Sequence, residues 1–415
     1  MDSWTASATA MEPQAALESG PASFGTALPL TAIPSIVVIS DFVEGWPPNP
    51  VAERTVAASA EAWADRLNGE PFGPSEDLST SRDKLDVVGG YLERLPLACI
   101  KAGLVDHAEI WHHWRGEGAG PFRRDGPLLA RRSFQLGRET APFSSNDMLG
   151  FLETVGAPHI LCVYGLGVDA EILRACGNSF KIYNSIDAPA LRVPPEVSGL
   201  FDLVLTGAEW QSAAVRALHP DMDCAIMPIG PEFADPLTFR PLGLPKEYDV
   251  IYVAAAQPYK RHDILFDALE RLPRSVRTLC VFGYGEMADD LRRRAADTGL
   301  DVDFVGPPGV SFDEVNRLMN RARIGVVCGV DDGAPAILTE YMLAGLPVLA
   351  NAQLSCGRQF ILPETGRLAE AGDFAAAIAA MLSDLDVFQP RQAVLDHWVW
   401  SHTIERLRRH VVATK

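Results

Sequence analysis

The chain has 415 residues, 47% of them hydrophobic and 22% charged, and a formal net charge of −18. That length exceeds the ~250–300 residues at which one hydrophobic core stops growing, so two domains are expected. The surplus of acid argues against a nucleic-acid partner, because phosphate backbones are held by excess Lys and Arg.

Residues 1–34 are rich in Ala, Ser, Thr and Pro and lack the basic start of a secretory leader, so they read as a disordered tail. No run approaches the ~20 apolar residues of a membrane span. A cytoplasmic protein is expected. From Ser35 to Met227, short β-branched runs (Ser35–Ser40, Ala108–His112, His159–Val163, Phe180–Tyr183, Leu203–Thr206, Cys224–Met227) alternate with helical stretches at Val51–Leu67, Tyr91–Ala102, Asn146–Val155 and Glu209–Ala217. This is the pattern of an α/β domain with a mainly parallel sheet, taken here as residues 35–235.

The proline-rich segment 236–248 reads as a linker. A second α/β domain, residues 249–388, follows with strands Val250–Ala254, Thr278–Phe282, Val302–Val305, Ile324–Cys328 and Pro347–Asn351. Between them the pattern predicts helices Arg261–Leu272, Met287–Asp297, Asp313–Asn320 and Ala336–Leu343. Seven cysteines stand singly without zinc or redox spacing and are expected in the core.

Ligands of open parallel sheets bind beyond the carboxyl ends of strands, which directs attention to three loops. Lys260 and Arg261 open a helix whose N-terminus is already positive, so they are either solvated or matched by an anion such as a diphosphate. Asp332 precedes a helix start at Gly333, Ala334, Pro335, Ala336 and Ile337, and Glu340 follows one turn later among apolar neighbours. These carboxylates either complement the helix dipole or accept hydroxyls. Gly283 and Gly285 flank Tyr284 in a strand-to-helix turn, there for backbone freedom or for close ligand approach.

Taken in this order, these loops resemble the C-terminal domain of the family-4 retaining glycosyltransferases (glycosyl transferases group 1), over about Tyr248 to Asp384 and more weakly from Leu200 to Pro241. The segment from Asp332 to Ala350 is similar to the family's E-x7-E signature, with Asp in the first acidic position and Glu340 in the second. The resemblance implies the GT-B fold, two Rossmann-like doubly wound domains facing across a cleft, with residues 389–415 forming a helix that returns to the N-terminal domain through Trp400. It implies Lys260 as donor-phosphate ligand, Asp332 on the transferred sugar and Glu340 on the donor ribose, with Arg261, Gly283, Gly285, Pro307 and the amides from Gly333 to Ile337 around the donor.

The reaction implied is metal-independent, retaining transfer from a nucleotide diphosphate-sugar to a glycan, lipid-linked or small hydroxyl acceptor, without a cofactor. The alternatives are a non-catalytic nucleotide-sugar-binding protein of this fold, or a nucleotide-sugar epimerase or hydrolase. Departures from the family are Ala255, where an Arg is usual, and the lack of an evident cleft His after residues 159–163 or 184–187. Asp221 and Asp223 have D-x-D spacing but read as turn acids. On the acceptor side Tyr164, Asp187 and the pair Gly89 and Gly90 are the candidates, the glycines standing late for the family's glycine loop. Arg115, Arg123, Arg124, Arg131, Arg132 and Arg138, among Trp111, Trp114 and Phe122, are either a solvated loop or a contact for a phosphorylated acceptor or an anionic membrane.

Overall fold

The computed structural model describes residues 34–44, 82–115, 122–125 and 128–413. The tail 1–33 and the expected helix Val51–Leu67 lie outside the described residues. The first sheet has the order β3-β4-β2-β1-β5-β6-β7-β8. Its strands are β1 (Ser35–Glu44), β2 (His107–Trp114), β3 (Phe122–Arg124), β4 (Leu129–Gln135), β5 (Ile160–Tyr164), β6 (Phe180–Asn184), β7 (Leu203–Thr206) and β8 (Asp223–Ile226). All neighbours run parallel except the edge hairpin β3–β4.

The second sheet is parallel throughout, in the order β11-β10-β9-β12-β13-β14. It comprises β9 (Tyr248–Val253), β10 (Thr278–Val281), β11 (Val302–Val305), β12 (Ala322–Val327), β13 (Val348–Asn351) and β14 (Gly366–Ala369). Counted from its own first strand this is the 3-2-1-4-5-6 order of dinucleotide-binding sheets, so β9 and β12 flank the point where the strand order reverses. In the first sheet β1 and β5 hold the equivalent place. Strand β14, not expected from the sequence, pairs with β13, which is therefore interior and not the last strand.

The helices that matter for the site are α1 (Tyr91–Lys101), α2 (Asn146–Val155), α3 (Glu209–Leu218), α4 (Ile229–Glu232), α5 (His262–Arg271), α6 (Ala288–Thr298), α7 (Phe312–Asn320), α8 (Ile337–Leu343), α9 (Pro390–His397) and α10 (Trp400–Ala413). Buried runs explain why the strands form: Ile36, Val38, Ile110, Ile160, Cys162 and Ile182 face one core layer, while Val37, Ile39, Trp111, Leu161, Val163 and Tyr183 face the other. A strand buried on both faces needs no polar alternation, and these have none.

The described residues between Arg115 and Arg138 include the hairpin β3–β4 at the edge of the first sheet. Arg131 pairs with Glu93 and Asp125, and Arg132 forks onto Glu109 at 2.6 and 3.0 Å while lying over the Phe122 ring. Arg115 meets Glu139 at 2.5 Å and Arg138 meets Asp169 at 3.7 Å. Burial alone would raise the Glu109 carboxyl, but hydrogen bonds from His107, Arg132 and Trp111 hold it down to about 2. These four arginines are paired with carboxylates of the same domain, and the side chains of Arg123 and Arg124 lie outside the described residues.

The C-terminal end bridges the halves. Helix α9 packs on α8, whereas α10 packs on α1 and buries Ile404, Leu407 and Val411 in the first domain's core, with Trp400 packed against it. Thr403 and Arg406 on α10 both bond the buried Glu232 carboxylate of α4. His410 meets Asp223 at 2.6 Å, which gives one D-x-D acid a structural partner. Among the described residues no helix is long and apolar enough to cross a membrane.

Burial pushes the Glu232 carboxyl up from 4.5 to about 7, against the pull of Arg406 and Thr403. Between those two values the folded chain holds a proton that the unfolded chain has released, so stability falls as pH rises through that window. Glu232→Gln is expected to flatten the fall. Melting temperatures of both proteins from pH 4 to 8 check this: the variant should gain on the parent with rising pH, and parallel curves would contradict it.

Candidate functional site

The loop after β9 carries Lys260 at the end of a short 3-10 turn, Pro258–Lys260, and the loop after β12 carries Asp332 and the start of α8. Both therefore lie at the switch point of the second sheet, and the Lys260 ammonium pairs directly with the Asp332 carboxylate. The same ammonium sits 4.8 Å from the Tyr259 ring centre. Backbone bonds from Ala256 to Tyr284 O (2.7 Å) and from Met287 to Ala256 O (2.9 Å) zip the Gly283–Gly285 turn onto this loop. Tyr284, pushed up to about 12 by burial and by neighbouring Tyr259, lines the same wall. Pro307, near the start of the loop after β11, is exposed.

The two cations at the helix start find protein partners here. Arg261, which adopts a left-handed φ of 52°, forks onto Asp263 of its own helix at 2.8–3.2 Å and is not directed toward Asp332. Each cation thus has a protein carboxylate, and the local dipole conflict needs no bound anion. His262 beside them is buried between Tyr252 and Phe282, and burial lowers it to about 4, so it is neutral at pH 7 and a structural residue.

Glu340 is 7% exposed and is the partner of Arg94, a residue of α1 in the first domain. Arg94 also donates to Gly89 O at 2.9 Å and Gly230 O at 2.8 Å. Around this pair the two domains touch closely. A side chain at Gly333 would overlap the backbone of Asp187, and one at Gly230 would lie 2.7 Å from Ala334 O and 2.9 Å from the Ala336 Cβ. Trp210 Nε1 donates to Ser355 O (2.7 Å), Gln359 to Gly207 O (2.8 Å) and Thr339 to Pro231 O (2.8 Å).

Gly89 and Gly90 immediately precede α1, with Gly90 as its N-cap. Glu93 accepts the Gly90 amide at 2.7 Å, closing that helix start on itself. Tyr164 is a correction. Its side chain follows Ile160 and Cys162 onto the core face of β5, where it is fully buried and out of reach of an acceptor.

Asp187 does reach the cleft, paired with Arg192, and its backbone is held by Gln211 at 3.0 Å. Facing it is Asp41, within β1, whose carboxyl is raised first by burial and then by the Asp187 charge. Asp41 and Arg94 were not expected from the sequence. The signal available was positional: Asp41 follows the apolar run Ile36–Ile39, and Arg94 interrupts an apolar helix one turn after a glycine pair. Among the described residues no group of three or more His, Cys, Asp or Glu is placed to hold a metal ion.

The family described as glycosyl transferases group 1 matches residues 236–392. Solved structures similar across both domains include a sucrose-phosphate synthase from Thermosynechococcus elongatus, 16% identical, covering 92% of this chain and all of that one with a TM-score of 0.64. A lipopolysaccharide outer core galactosyltransferase, WaaB, is 13% identical over 92% of this chain and all of its own, with a TM-score of 0.58. Anabaena HepE, solved in complex with UDP and glucose, is 14% identical over 91% of this chain and 99% of its own, with a TM-score of 0.57. No curated protein matches the chain by sequence. The chain as a whole therefore has the GT-B fold, and its residues 236–392, which carry Lys260, Asp332 and Glu340, match the family described as glycosyl transferases group 1.

Proposed function

We propose that this protein is a retaining glycosyltransferase that takes a sugar from a nucleotide diphosphate donor, held by the second domain, to a hydroxyl acceptor entering from the first. The observation that carries this reading is the gathering of Lys260, Asp332 and Glu340 at the switch point of the second sheet, inside the segment that matches the family. Lys260 and the amides at the start of α8 would take the diphosphate, and stabilising that leaving group is the electrostatic part of catalysis. Asp332 would hold hydroxyls of the transferred sugar, and Glu340 those of the ribose. No step requires a metal ion or a cofactor.

On the acceptor side Asp41 and Asp187 favour a ligand rich in hydroxyl donors, since two neighbouring carboxylates repel an anion. Ala255 favours a second reading, in which the fold binds a nucleotide-sugar without turning it over, because one cation of the family's phosphate site is missing.

Thermal unfolding with UDP, GDP, ADP and dTDP and their sugars separates these readings, with UDP the first probe because HepE was solved with it. One nucleotide is expected to raise the melting temperature of the unsubstituted chain and to lose that effect in Glu340→Ala. Stabilisation without sugar release or transfer would support binding alone, and none with any nucleotide at millimolar concentration would remove the donor site.

A further inference from the structure

The ion pair between Arg94 and Glu340 joins the two domains at the candidate donor site, and nothing in the family signature accounts for it. Arg94 is 4% exposed and stands on the first turn of α1. Its Nε bonds Gly89 O and its Nη1 bonds Gly230 O, both groups of the first domain, so two of its three nitrogens are fixed before the second domain is considered. The remaining nitrogen, Nη2, meets Oε1 of Glu340. A planar guanidinium held in this way presents its last N–H groups in one fixed direction, which a lysine cannot do.

We infer that Arg94 is a positioning residue for the donor-site carboxylate: it docks Glu340 against the first domain, so that the carboxylate is aimed at the donor only when the domains are closed. The inference rests on the reading of Glu340 as a donor ligand. Arg94 uses Oε1, which leaves Oε2 of Glu340 to accept a ribose hydroxyl. Opening the cleft would withdraw Glu340 from the guanidinium that fixes its orientation and leave its rotamer free in water. Donor affinity is thereby tied to closure through a group on the opposite domain. The same seam carries Thr339 on Pro231 O, where Thr339 precedes Glu340 and Pro231 follows the Arg94 acceptor Gly230, so α8 and α4 meet as a unit.

Hydrogen exchange by mass spectrometry on the unliganded protein, together with UDP titration calorimetry, tests this on Arg94→Met, Arg94→Lys, Glu340→Gln and the Met/Gln double variant. Arg94→Met is expected to speed exchange in 228–233 and 337–343 by about tenfold, with the double variant no faster, because both changes open the same contact. UDP affinity should fall by about tenfold in Arg94→Met and less in Arg94→Lys, while the melting temperature without UDP changes far less than in a core substitution. If Arg94→Met does not fold, Glu340→Gln makes the same exchange comparison. Unchanged exchange would overturn the docking role. Faster exchange with UDP bound as tightly as by the parent, or more tightly, would overturn positioning and make Arg94 a structural tie or a competitor. If the parent itself fails to bind UDP, the donor reading falls and positioning with it, while the exchange arm still decides the docking.

Discussion

Lys260→Ala is expected to remove nucleotide-dependent stabilisation and to lower kcat/KM for sugar transfer on the order of 100- to 1,000-fold, the usual cost of deleting one preorganised group that meets developing charge. The ammonium is 19% exposed, beside a tyrosine ring and paired with an Asp332 carboxylate that is 14% exposed. In so sheltered a place a cation acts on a diphosphate with little screening from water. A donor would draw Lys260 from Asp332 toward phosphate and release that carboxylate to the sugar, so the resting pair stores both ligands in one contact.

Arg261→Ala makes the contrast. Its guanidinium lies on Asp263 and is 43% exposed, so its loss should change kcat/KM by about twofold or less. Equal damage from both variants would mean that charge at the helix start, not the Lys260 contact, is what matters. A silent Lys260→Ala would remove the phosphate assignment.

Which features could be read in advance follows from their physics. Strands such as Leu203–Thr206 and Val302–Val305 show as apolar runs between helical periods, and their order along the chain fixes a parallel sheet by the short-connection rule. Strand β4 hid because Arg131 and Arg132 stand within it and are satisfied by partners distant in sequence, Glu93 and Glu109. The signature from Asp332 to Glu340 was legible since all its members lie on one loop and helix. Arg94 was not, because its meaning depends on a carboxylate 246 positions away, and no local spacing encodes a contact made by domain closure. Tyr164 misled for the same reason: at a strand's carboxyl end, one step of register separates the cleft from the core.

Closure itself supplies the second large effect. Gly230→Ala and Gly333→Ala are each expected to lower kcat/KM on the order of 100-fold, because a displacement of about 1 Å at reacting groups has that cost. The added carbons would strike main chain, Ala334 O in one case and the Asp187 peptide in the other, and neither can swing aside as a long side chain would. The domains must then part, and every contact along the seam lengthens together.

The two positions separate closure from local damage. Gly333 belongs to the candidate donor cradle, so its substitution could act there alone, whereas Gly230 lies on the first domain and reaches the cradle only across the interface. Small-angle scattering should show a larger radius of gyration for both variants with nucleotide present, and Gly372→Ala, whose added carbon meets nothing within 4 Å, should match the parent. Loss of activity in Gly333→Ala with a normal Gly230→Ala would assign the effect to the cradle. Matched losses with matched expansion would mean that these glycines are required for the closed domain contact, and that the site works only while the two sheets' switch points face each other.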